Sequence, residues 1–263
     1  MLSVLTTIAS YNLISANLDR TIKNTADQPQ VARESEYYLA NIEKVKSIDD
    51  FMGDDRIFNY AMKAWGLGEM SYAKAFVRKV LTEGIDSKDT FANSLADPRY
   101  REFAKAFNFK QFGSTTTVFD EVRQGTVDRY VRQQVEEDAG SQNEGVRLAL
   151  YFERNASGIT SSLGILADKA LLQVVETTLD LPKSISLLDL DRQQKLIDDR
   201  LNIEDLKDPE KLSKFLTRFT AMWEIDNPTS SATSPAALLI QPIQTGFSAD
   251  LLSSLQDLKL GGL

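Results

Sequence analysis

Apolar residues recur along this chain in steps of three and four, and nowhere do they alternate with a period of two over a sustained run. That pattern is helical. Its clearest instance is Leu95–Phe109, where Tyr100, Phe103, Ala104 and Phe107 share one face. A second stretch, Leu206–Phe219, repeats the design with Leu212, Phe215, Leu216 and Phe219. In both, a leucine leads into an Asp-Pro pair. The pairs Asp97-Pro98 and Asp208-Pro209 read as N-cap and first helical residue. A carboxylate there accepts bonds from free N–H groups of the first turn, and proline gives up an N–H that would be unpaired anyway.

The echo extends upstream. Leu18–Ile22 resembles Val127–Val131, and Tyr37-Tyr38 matches Tyr151-Phe152. Asp55-Arg56, opening a helix through Trp65, matches Asp168-Lys169, opening one through Leu179. The spacing between these pairs drifts by only a few residues. The expectation is an all-α fold: two pseudo-repeated helical units, residues 18–109 and 127–219, forming a multi-helix bundle. The domain reading is an N-terminal amphipathic arm (1–24), a duplicated domain (25–226), and a linker with a C-terminal amphipathic tail (227–263).

Residues 2–24 read as one helix, with Val4, Ile8, Tyr11, Ser15, Leu18 and Ile22 in a narrow coiled-coil-like seam. Its other faces carry Ser, Thr and Asn where a solvated helix would carry Lys and Glu. Such a helix is either a first core helix or an arm that docks on a partner or on the chain's own C-terminus. A second helix is expected over 30–46, and Ser47 with Asp50 suggests a short capping box. Asp54 or Asp55 opens the next helix, which Gly66 or Gly68 ends. Further helices fall near 71–83, 89–96, 116–138, 145–155, 168–179, 191–200 and 209–224, with 110–117 as the joint between copies. From Asn227 the run NPTSSATSP cannot bury a core and reads as a flexible linker. Beyond it, Leu251, Leu252, Leu255 and Leu258 stripe a final helix that must bury itself against the chain or a partner.

Composition narrows the chemistry. The 263 residues are 42% hydrophobic and contain neither cysteine nor histidine. Disulfides, thiolate nucleophiles, imidazole bases and Cys/His zinc sites are thereby excluded. The net charge of −8 opposes nucleic acid and anionic membranes. No segment reads as membrane-spanning, and Met1–Leu18 has neither the basic start nor the apolar centre of a secretory signal.

Few constellations remain. Ser71 and Lys74 have the serine–lysine spacing of penicillin-binding enzymes, but the companion Ser-Asp-Asn and Lys-Thr-Gly elements are missing. Asp49, Asp50, Asp54 and Asp55 bracket Gly53 without EF-hand spacing, and Asp189, Asp191, Asp198 and Asp199 are similar. Helix capping and solvated surface account for both groups. Trp65 and Trp223 read as core aromatics rather than ligand platforms. No phosphate loop or nucleophile elbow occurs. No catalytic residue, metal ligand or cofactor is assigned, and no small-molecule substrate is expected.

With the opening MLSVLTTIASYNLISANLDRTIKN, the block DDRIFNYAMKAWGLGEMSYAKAFVRKVL, the stretch ADPRYREFAKAFNF and VRLALYF at 146–152, the chain resembles the alphaproteobacterial family of unknown function numbered twelve-seventeen. Members of that family are encoded among flagellar genes, and the family carries no accepted enzymatic activity. The resemblance implies a non-enzymatic structural or assembly protein of the bacterial flagellum, reached by flagellar export, with other flagellar proteins or further copies of itself as partners. Export substrates resemble this chain in lacking cysteine, in an uncharged Ser/Thr/Asn-rich start, and in apolar helices at both ends. Partner contact is assigned to Val4, Ile8, Tyr11, Leu18 and Ile22 with Leu251, Leu252, Leu255 and Leu258. The alternative is a cytoplasmic chaperone or regulator that uses a groove between the two helical copies.

Overall fold

The structure, a computed structural model, describes residues 5–228. Val4, Leu251, Leu252, Leu255, Leu258 and the rest of the stretch from 229 onward lie outside the described residues. Among the described residues the secondary structure is entirely helical. Fifteen α-helices follow in order: α1 Thr7–Ala16, α2 Leu18–Ala26, α3 Pro29–Ile42, α4 Ile48–Gly53, α5 Asp55–Ala64, α6 Lys74–Glu83, α7 Phe91–Ser94, α8 Pro98–Ala106, α9 Phe109–Phe112, α10 Gln124–Gln142, α11 Glu144–Asn155, α12 Ser162–Ala167, α13 Lys169–Leu179, α14 Leu190–Asp198 and α15 Pro209–Asp226.

The Asp-Pro pairs do what their chemistry dictates. The Asp97 carboxylate accepts from the Arg99 N–H at 2.9 Å, and Asp208 accepts from the N–H groups of Glu210 and Lys211 at 2.9 and 3.1 Å. Three expected elements differ. Residues 2–24 are not one helix: the chain breaks at Asn17, whose side-chain amide donates to the Leu13 carbonyl and ends α1. The helix expected over 116–138 begins at Gln124 and runs to Gln142. Its would-be first turn is a 3-10 stretch, Gly113–Val118, held down by buried threonines: Thr117 donates to the Val45 carbonyl at 2.9 Å and Thr116 to that of Gly113. The expected joint at 110–117 is therefore helical, with residues 110–115 exposed and Thr116 and Thr117 anchoring its end. The helix expected over 30–46 stops at Ile42.

Two apolar cores form. The first gathers residues from Val31 to Val131 and is aromatic at its centre, where Phe51 lies 5.7 Å from Phe58 and 5.0 Å from Phe107. The second gathers Tyr11 and residues from Val135 to Phe219 and is mostly aliphatic. Helix α10 belongs to both. Its Val127, Tyr130 and Val131 enter the first core, and its Val135 and Ala139 enter the second. Nineteen residues long, it is the rod on which the two halves are mounted.

The α3–α4–α5 unit recurs as α11–α12–α13 at one constant spacing along the chain. Ser47 caps α4 and Ser161 caps α12. Asp54 caps α5 and Asp168 caps α13, each accepting from two backbone N–H groups. The Tyr37 hydroxyl donates to Asp54 and the Tyr151 hydroxyl to Asp168. Asn41 donates to the Tyr37 carbonyl, and Asn155 to that of Tyr151. The partner of Asp168 is thus Asp54, one residue earlier than the sequence pairing with Asp55. The match of Leu18–Ile22 with Val127–Val131 does not keep this spacing.

Candidate binding cleft

Of the residues assigned to partner contact, Ile8, Tyr11, Leu18 and Ile22 are described, on α1 and α2. Tyr11 is a member of the second core and 5% exposed. Ile8, Leu18 and Ile22 are half-buried, and Ile22 packs against both cores. Helix α1 is fastened at its first turn: the Glu224 carboxylate accepts from the Thr7 N–H at 2.8 Å, and Asn143 donates to the Thr7 hydroxyl at 2.9 Å. Ser15 adds a bond to Glu153 at 3.0 Å. Tyr11, assigned to a partner, is consequently committed to the chain's own core, because the narrow seam of α1 faces α11 and α15. The outward side of α1 carries Leu13, 57% exposed, and Leu5, 48% exposed, lies just before the helix.

The remaining sequence candidates are occupied by structural duties. The Ser71 hydroxyl donates to the Gly68 carbonyl, while Lys74 pairs with Asp55 and reaches the Met52 carbonyl. No contact joins Ser71 to Lys74. Asp49 pairs with Arg78, Asp50 accepts from the Lys46 N–H, and Asp54 caps α5. Asp189 caps α14 and Asp199 pairs with Lys195. Among the described residues no cluster of carboxylates is arranged to hold a metal ion. Trp65 is 7% exposed in the first core, and Trp223 packs on the second.

A concavity of about 1020 Å³ lies between the two halves, beside α10. One wall comes from α5, the turn after it and the start of α8. The other comes from α11 and the start of α13. Its geometry follows from the ends of helices. Gly66 terminates α5 at a φ of 69°, a left-handed conformation that glycine takes without strain. Its freed carbonyl accepts from Arg99 Nη1 at 2.8 Å. Arg99 also holds Asp97 with its Nε and Nη2, the latter at 2.8 Å, and stands 3.9 Å from the Asp168 carboxylate of the opposite half. Burial works against the Arg99 charge, but the Asp97 hydrogen bonds and neighbouring carboxylates outweigh it and raise its pKa above the ordinary value.

Asp168 is 5% exposed and receives the Tyr151 hydroxyl at 2.5 Å. Burial first, and then the Asp168 charge, push the Tyr151 pKa up. That proton stays on the phenol, fixed toward Asp168. Lys63 pairs with Glu137 at 2.7 Å. Most charges of the cleft are therefore spent on one another, and its arrangement suits holding a ligand rather than moving a proton. Asn59 of α5 and Gln173 of α13 line it from opposite walls and are exposed. Each is the fifth residue of its helix, so they occupy the same place in the recurring unit. Sequence reading passed over both, since a lone amide on a helix surface carries no signal. Pairing the two helices by their caps would have found them.

A second charged group is structural. Glu136, 1% exposed, accepts from Arg154 Nε at 2.7 Å and Nη2 at 2.9 Å, and from Arg132 Nε at 3.4 Å. This knot binds α10 to α11 under the second core. Two arginines on one buried carboxylate remove most of the cost of burying it.

The family comparison reaches most of the cleft and part of each core. The model of the family described as "Protein of unknown function (DUF1217)" matches residues 64–212, from the end of α5 to the first turn of α15. The crystal structure of protein AGR_C_984 from Agrobacterium tumefaciens is similar over 84% of this chain and 94% of that chain, with 52% identity and a TM-score of 0.79. No curated protein matches. With more than half of its length matched, from the last turn of one cleft wall through the whole of the other, this chain belongs to the DUF1217 family of proteins of unknown function.

Proposed function

We propose that this chain is a non-enzymatic, flagellum-associated structural or assembly protein that works by holding other polypeptides. The observation that supports a role in holding polypeptides, in this reading and its rival alike, is the cleft of about 1020 Å³ between the two cores. It is larger than most small-molecule sites, which run to roughly 1,000 Å³ and are mainly apolar. Most of its charges are paired within the chain. The flagellar association comes from the resemblance to a family encoded among flagellar genes. The helix–helix contact falls on Leu13 of the outward face of α1, on Leu5 just before that helix, and on Ile225 at the end of α15, 65% exposed.

The docking of α1 favours a second reading, a cytoplasmic chaperone or regulator. In that case residues 7–26 are a permanent part of the fold and the cleft is the working surface. Localisation separates the two. A tag placed at Asp86–Asp89, a turn whose four residues are exposed, leaves both cores intact. The structural reading expects the tagged protein in the medium and in detached flagella only when the flagellar export apparatus works. Retention in the cytoplasm with and without that apparatus would sink it and leave the chaperone or regulator.

A further inference from the structure

We propose that the cleft takes an extended polypeptide segment of a partner protein, gripped through its backbone by Asn59 and Gln173 from opposite walls. This rests on the reading of the chain as a protein that holds other polypeptides and names what its cleft holds.

The argument begins with hydrogen-bonding capacity. A side-chain amide carries both donors and an acceptor, and so does each residue of an extended backbone. Neither amide has a hydrogen bond within the described residues that would compete for it, whereas Gln133 beside them already accepts from Arg154 at 3.0 Å. A docked helix has no use for such groups, because its own backbone bonds are made internally. An extended segment must find partners for its N–H and C=O groups, and amides lining opposite walls of a cleft can provide them at two points.

Charge decides against other ligands. Lys63, Arg99, Arg147 and Lys169 line the cleft together with Glu69, Asp97, Glu137 and Asp168. The signs balance, so a phosphorylated or polyanionic ligand meets as many carboxylates as cations. Lys63, Arg99 and Arg147 are spent on Glu137, Asp97 and Glu144. Lys169, exposed at the first position of α13, makes no ion pair among the described residues. It selects a segment with a carboxylate at that end. The place of Asn59 and Gln173 in the recurring unit supplies the geometric logic. One position, used once in each half, grips one strand from both sides.

The probe is a phage-displayed library of random linear peptides panned against the full chain. Enriched peptides are then made synthetically and measured by titration. The expected result is peptides that carry an acidic residue, with hydrogen-exchange protection confined to residues 66–71 and 167–173. Asn59→Ala and Gln173→Ala each weaken binding roughly three- to tenfold, and Lys169→Glu does so by a similar factor. All three side chains are exposed, so the variants keep the wild-type unfolding midpoint. Peptides that bind all three variants as well as wild type, or that protect a surface outside the cleft, overturn the proposal while leaving a protein-binding role intact. Peptides that turn helical on binding and ignore the two amides overturn it in favour of helix docking. Failure to enrich any peptide overturns it as well, and the localisation experiment then stands alone as the test of the broader reading.

Discussion

At the scale of single residues, close approach decides more than charge does. Gly145, in the first turn of α11, is the clearest case. A Cβ added there would lie 2.3 Å from Cδ1 of Trp223, a ring held in place by α15. Gly145→Ala must therefore push α15 away from α11. We expect a loss of about 1–3 kcal/mol in urea unfolding, typical of overpacking, with the helical content unchanged. An alanine at Gly158, where a Cβ meets nothing within 4 Å, serves as the control and shifts the midpoint little. Nothing in the local sequence EGVRLAL separates these two glycines. Gly145 sits in a helix that would prefer alanine, and only the approach of a distant tryptophan makes the glycine necessary.

At the scale of the element, α1 is the informative one. Its Tyr11 phenol is pushed up to about 12, chiefly by burial and then by the Glu153 charge. Folding favours the neutral phenol. The stabilisation from docking α1 is therefore complete below the ordinary tyrosine pKa near 10 and is lost as pH rises through about 12. Hydrogen exchange or limited proteolysis of residues 7–16 should show α1 loosening across that window. Tyr11→Phe should shift the loosening to higher pH, since phenylalanine has no proton to lose. If the variant loosens over the same window as wild type, the contact that titrates lies elsewhere. Of the seam residues in α1, Tyr11 is buried and Ile8 half-buried. A pattern of apolar positions says that a face is buried, and it is silent on whether the covering surface belongs to the same chain.

For the whole molecule, the continuity of α10 sets the cooperativity. The rod passes from Val131 in the first core to Val135 in the second without interruption, so neither half can open without disturbing the other. Wild type should unfold in one transition, with coincident curves from different probes. Gln134→Pro, between the two valines, removes a helical hydrogen bond and adds a clash, at a cost of about 3 kcal/mol or more. We expect it to split unfolding into two steps, visible as a calorimetric enthalpy larger than the van't Hoff enthalpy. A single, merely weaker transition would mean that the cleft contacts, Arg99 to Asp168 among them, couple the halves by themselves.

Sequence alone determined the all-helical class, the capping residues Ser47, Asp97 and Asp208, and the end of α5 near Gly66. These depend on interactions within a few residues, where spacing and side-chain type carry the information. The same locality explains the errors. The break at Asn17, the 3-10 stretch before α10 and the late start of that helix each depend on a partner far along the chain or on competition between side chain and backbone. The site was least legible of all. Asn59, Gln173, Arg99 and Asp168 stand in three separate helices or their caps, and none carries a motif. What brings them to one cleft is the packing of two cores on a shared rod. Apolar burial drives that packing, and burial records only that a surface is covered, leaving the tertiary structure to decide by what.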